Sequence, residues 1–143
     1  MPSGLGWAMA TLDDGLDVVE FEVSYLSDAP RDLLLAVAAV QDGATFASAS
    51  WHLEPEERRW QLYRSGCEVT VGVLAFADLF AHQPDVEGQL IFACRDSVNG
   101  IAAAIAHGFR VVLDEFGEKG YRRWWPEHQF PTGLLELVES RLA

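Results

Sequence analysis

Four histidines, His52, His82, His107 and His128, stand among 22 acidic residues, so metal chemistry is the first possibility to weigh. His82-x-x-Asp85, with Asp78 four residues before His82, could supply three ligands from one loop. Zinc sites draw three or four ligands from defined spacings. The chain holds no HExxH and no CxxC pattern. The histidines therefore read as scattered surface residues, and neither a metal nor another cofactor is expected. Nucleophilic chemistry meets the same obstacle. Cys67 follows Gly66 at the start of a predicted strand, and Cys94 ends another beside Arg95 and Asp96. A reactive thiol needs a histidine partner and a setting that lowers its pKa, and no spacing supplies either. With no G-x-S-x-G elbow and no G-x-G-x-x-G after a strand, the expectation is a chain without enzymatic activity. Its two thiols are expected to be reduced core residues.

The acids are more informative. The first thirty residues carry Asp13, Asp14, Asp17, Glu20, Glu22 and Asp28 without a single Lys or Arg, half of the net charge of -12. Charge kept only for solubility is normally interspersed with bases. Charge gathered on one segment suggests a surface for something positive. Asp17, Glu20 and Glu22 are the candidate contacts. A second candidate patch is the turn Glu54-Pro55-Glu56-Glu57, flanked by Trp51 and Trp60 on neighbouring strands, with one Trp as an anchor. Of the adjacent pair Trp124 and Trp125, one is expected to be partly exposed.

Ten bases against 22 acids argue against nucleic acid, where each phosphate contact needs a cation. They argue equally against an anionic membrane surface. Residues 1–10 lack the basic start and apolar core of a signal peptide. No apolar run approaches the roughly 20 residues of a membrane span, so the expected location is cytoplasmic.

The elements that must position these residues follow from periodicity. Residues 1–16 contain Gly4, Gly6, Asp13-Asp14 and Gly15 and are expected to be loose. Residues 16–25 alternate Val19, Phe21, Val23 and Tyr25 against Glu20, Glu22 and Ser24, the period of a half-buried strand. A helix opens at Ser27-Asp28-Ala29-Pro30, buries Leu33, Leu34 and Val37, and stops at Gly43. Strands are predicted over 45–52, 58–64, 67–75 and 88–94, with Ser65-Gly66 as a hairpin turn. Residues 77–87 read as a loop or single helical turn. A long helix carries Ile101, Ile105, Phe109, Val112 and Phe116 to Gly117, and a last one spans 132–142. Connections between the later strands are too short for parallel crossovers, so they form an antiparallel meander. The expectation is one α+β domain over 1–143, a five-stranded mainly antiparallel sheet with helices packed on one face, in the order β-α-β-β-β-β-α-α.

The segment Val112-Leu113-Asp114-Glu115, Gly117, Gly120-Tyr121, Trp124 or Trp125 and Phe130-Pro131 resembles the carboxyl-terminal signature of small acidic bacterial proteins. In size, charge and α+β order the chain is similar to immunity proteins of polymorphic-toxin systems. That resemblance implies a cofactor-free module that occludes a basic toxin domain, and it transfers no individual binding residue. The leading expectation is thus a non-enzymatic acidic module that neutralises or regulates a basic protein partner. One alternative is a small-ligand-binding or enzymatic domain with an aromatic pocket between sheet and helices, using Asp78 and His82. Another is a self-associating module, a homodimer formed through an exposed strand edge.

Overall fold

Strong alternation in four consecutive segments builds the central layer of the computed structural model. It describes residues 2–4, 7–13, 18–24, 28–53, 55–124 and 129–142, the first three stretches and positions 116 and 120–124 in backbone only. Strands β4 (Phe46–His52), β5 (Glu57–Ser65), β6 (Glu68–Phe76) and β7 (Gln89–Ser97) pair antiparallel in chain order, the expected meander. Gly66 at φ 62° lets the two-residue turn between Ser65 and Glu68 close.

The first strand departs from expectation, and the five-stranded sheet with it. Before α1 (Ala29–Gln41) come β1 (Pro2–Gly4), β2 (Trp7–Asp13) and β3 (Val18–Ser24), which form a separate three-stranded antiparallel sheet. The order is therefore β-β-β-α-β-β-β-β-α-α, and the sheet beneath the helices has four strands. The physical reason lies in the hairpin. Along its whole length, from Trp7 opposite Ser24 to Asp13 opposite Val18, β2 pairs with β3. The segment read as loose from its glycines thus carries β1 and β2. β3 comes close to β4, yet the two share no ladder.

Helix α1 starts with Pro30 in its first turn, where a missing N–H costs nothing. It lays Leu33, Leu34, Val37 and Val40 against β4 and β5. Helix α2 (Val98–Trp124) packs on β6 and β7, and α3 (Thr132–Ser140) lies against α1 and α2. Gly117 does interrupt α2, with φ 67° and ψ 173°, but the helix resumes and runs to Trp124. The core row Ala49, Trp60, Val73 and Phe92 crosses all four strands on the helix side. Leu34, Leu135 and Val138 close it from above, each fully buried. Gln41 Nε2 donates to Val138 O at 3.1 Å and Arg141 to Ala38 O at 3.0 Å, tying α3 to α1.

Neither cysteine is in a disulfide. Cys94 is half-buried, whereas Cys67 is exposed, because it belongs to the Gly66-Cys67 turn and not to the strand after it. Among the described residues no helix is long and apolar enough to cross a membrane.

Candidate protein-binding surface

The strand register sorts the outer face of the four-stranded sheet, away from the helices, into rows. Phe46, Tyr63, Thr70 and Arg95 form one row, and Ser48, Gln61, Gly72 and Ala93 the next. Ser50, Arg59 and Leu74 follow, then His52, Glu57 and Phe76. The two ends of this series differ in exposure. Phe46 and Tyr63 are 45% and 49% exposed and stack on each other at 4.9 Å, while Glu57 and Phe76 are buried.

The buried end is covered by the β6–β7 connection, residues 77–88, which contains two 3-10 turns, Leu79–Ala81 and Asp85–Glu87. Arg59 fastens it. Its guanidinium lies 4.2 Å from the Phe76 ring centre and donates to both oxygens of Glu57, at 3.0 and 3.1 Å. The same group reaches across to Asp85 Oδ1 at 2.6 Å and to Gln83 O at 3.0 Å. Ser50 Oγ donates to Glu57 Oε2 at 2.6 Å, and Leu79 N–H to Pro55 O at 2.7 Å. Burial alone would raise the Glu57 carboxyl, but the bonds from Arg59 and Ser50 outweigh it and hold the group below the ordinary carboxylate value. Burial opposes the charge on Arg59 too, and its bonds to Glu57 and Asp85 keep it raised.

This geometry sorts the sequence candidates. Trp51 and Trp60 are 5% and 3% exposed, packed on each other at 5.1 Å beneath α1, with Trp51 Nε1 donating to Ala29 O. Neither can anchor a partner at the surface. The parity of the strands carries the reason: Trp60 and Leu62 alternate with Arg59, Gln61 and Tyr63, which puts both on the helix side. Glu57 is likewise committed to the clamp. Glu56 stays at the surface, 3.6 Å from Arg58. Asp17 and Glu54 lie outside the described residues, as do Trp125 and His128. Glu20 and Glu22 occupy alternate positions of β3, opposite Thr11 and Met9.

Asp78 and His82, the polar groups of the pocket alternative, belong to the β6–β7 connection and do not line the groove beside α1. Asp78 accepts from Phe80 N–H at 2.9 Å as the cap of a short turn, and His82 is exposed with φ 49°. Among the described residues no three potential ligands come together for a metal ion. The notable concavity lies elsewhere: a groove of about 440 Å³ between Asp32, Leu35, Ala36 and Ala39 of α1 and residues 47–50 of β4.

One feature escaped the reading of the sequence. Residues 65–94 contain no Lys or Arg but hold Glu68, Asp78, Asp85 and Glu87. Their loop also exposes Phe80 at 63% and Val86 at 92%. A count of bases along the chain would have found this stretch as readily as the first thirty residues. Several arginines, by contrast, are committed to groups of the chain itself. Arg64 donates to Val40 O at 2.6 Å and Gly66 O at 2.8 Å, and Arg110 pairs with Glu139 across α2 and α3. The Arg110 hydrogen bonds hold the Glu139 carboxyl below its ordinary value. Arg31, Arg58 and Arg141 also find acceptors within the chain. Compared with family models, curated proteins and solved structures, the chain matches none.

Proposed function

We propose that the chain is a non-enzymatic acidic protein-binding module that neutralises or regulates a basic protein partner, in the manner of an immunity protein. One observation carries this reading: four of the ten cations are committed to groups of the chain itself, while two long stretches carry carboxylates and no base. Arg59, Arg64, Arg110 and Arg141 serve the fold's own carboxylates and carbonyls, and the chain as a whole carries a net charge of -12. Two base-free stretches, 1–30 and 65–94, concentrate that field. Such a surface raises the encounter rate with a cationic partner and discourages acidic ones.

A tagged pull-down from the native host at low and moderate salt, read by mass spectrometry, is the direct test. A basic protein retained at low salt and released by salt is the expected result. Recovery of nothing but the chain itself would end this reading. With the partner in hand, reversing Glu20 and Glu22 to lysine should slow association by about tenfold and leave dissociation little changed. An unaltered association rate would remove β3 from the interface.

A further inference from the structure

Among the described residues, strand β4 is hydrogen bonded on one side, to β5. The phase of that ladder is fixed by Arg64 N–H, which donates to Thr45 O at 2.9 Å. Bonded and non-bonded pairs alternate in an antiparallel ladder. Ala47, Ala49 and Trp51 therefore turn their backbone groups toward β5, and Ser48 and Ser50 turn theirs out of the sheet. Among the described residues no backbone group meets those of Ser48 and Ser50. Open edges are normally guarded by a charge, a proline or a bulge. β4 reads Phe-Ala-Ser-Ala-Ser-Trp-His, with no Lys, Arg, Asp, Glu or Pro and an unbroken register.

The groove beside α1 runs along this same edge. Leu35, 42% exposed, and the small Ala36, Ala39, Ala47 and Ala49 leave it open and apolar, and Asp32 is the one charged group in its lining. An unpaired strand edge flanked by a helix groove is the arrangement that receives an extended peptide. Main-chain bonds supply affinity there, and alternate side chains enter the groove.

We infer that an extended segment of the basic partner adds to β4 as a further strand, bonded to Ser48 and Ser50, with alternate apolar side chains in the α1 groove. This inference rests on the partner-binding reading above. Charge decides the occupant: a second copy would set -12 against -12, whereas a cationic segment is attracted.

The test uses the full chain and two capped heptapeptides, one alternating lysine with valine and one alternating glutamate with valine. In excess lysine peptide, hydrogen exchange at the Ser48 and Ser50 amides should slow by about tenfold or more. The glutamate peptide should leave both unchanged. Ser48→Pro removes an outward donor and spares the ladder to β5, so binding should weaken roughly fivefold. Ala39→Leu, which narrows the groove from an exposed helix position, should weaken it as well and keeps the test open if the proline variant unfolds. Lysine-peptide binding without protection at Ser48 and Ser50 overturns strand addition, and equal protection by both peptides overturns the cationic occupant. Protection already present in the free chain shows an edge covered by the chain itself, or by a second copy where it grows with protein concentration, and overturns the inference in either case. Failure of the lysine peptide, with a basic protein still retained in the pull-down, sinks strand addition alone. Failure of both sinks the partner reading too.

Discussion

At one end of the sheet's outer face, Glu57, Arg59 and Phe76 lie under the β6–β7 connection; at the other, Phe46, Tyr63 and Thr70 meet solvent. Both ends mix aromatic and polar side chains, so composition does not separate them. A guanidinium does. Arg59 stands where it can reach Glu57, Asp85 and a carbonyl together, and the connection is drawn down over that end. Among the described residues the open end has no such bridge, and its aromatic pair is nearly half exposed. The lesson concerns acidic residues generally: the same Glu is a fastening or a contact surface depending on which cation the fold sets beside it.

The comparison breaks most violently at the layer both ends share. Trp60 is 3% exposed and packs against Trp51 on the helix side. Trp60→Ala should cost about 3–5 kcal/mol in denaturant unfolding, by lost transfer energy and the cavity left behind. A cost near 1 kcal/mol would mean that the site is loosely packed and that Trp60 is available for binding after all.

Arg59→Ala comes next. It leaves Glu57 buried without its partner, a change that costs about 3 kcal/mol for a buried pair. Hydrogen exchange should also accelerate over residues 77–88 while the Phe46 end stays as it was. Uniform acceleration would show that Arg59 serves the whole sheet and does not fasten one end.

The pH dependence follows from the same bonds. Glu57 titrates in the fold below its ordinary 4.5, so its contribution to stability is complete above that value. It is lost as pH falls through the lower folded-state value. Glu139 has the same sign through Arg110, at a more exposed site. Acid unfolding should therefore be shallower in Glu57→Gln than in the parent, measured as unfolding free energy against pH between neutral and about pH 3. Parallel curves would show the clamp carboxylate to be ordinary.

How much of this was readable from the residues alone depends on whether the signal is local in the chain. The β4–β7 meander was legible because alternation, Gly66 and short connections are all nearby in sequence. Helices α1 and α3 were legible from apolar spacing. The N-terminal sheet was not, because β2, Trp7-Ala-Met-Ala-Thr-Leu-Asp, alternates weakly and its partner alone makes it a strand. Exposure of Trp51 and Trp60 was decidable from strand parity, which their nearness to an acidic turn obscured. The clamp was out of reach, since nothing local links Arg59 to Asp85 across 26 positions. The groove along β4 likewise needs the packing of α1 on an edge strand that only the full topology defines.

The smallest effect tests the open end itself. Phe46 and Tyr63 face each other across β4 and β5, ring centres 4.9 Å apart and planes inclined by 46°. Cross-strand aromatic pairs of this kind contribute about 0.5–1 kcal/mol beyond the area they cover. Because both rings are nearly half exposed, Phe46→Ala and Tyr63→Ala should each destabilise far less than Trp60→Ala, with a coupling in that small range from a double-mutant cycle. Phe46 also ends the edge strand proposed to accept a partner segment, so the two variants separate folding from binding. Loss of partner retention with stability nearly intact places the open end in the interface. Retention unchanged in both variants confines recognition to the β4 edge and the acidic stretches, and leaves the aromatic pair as a brace for the β4–β5 register.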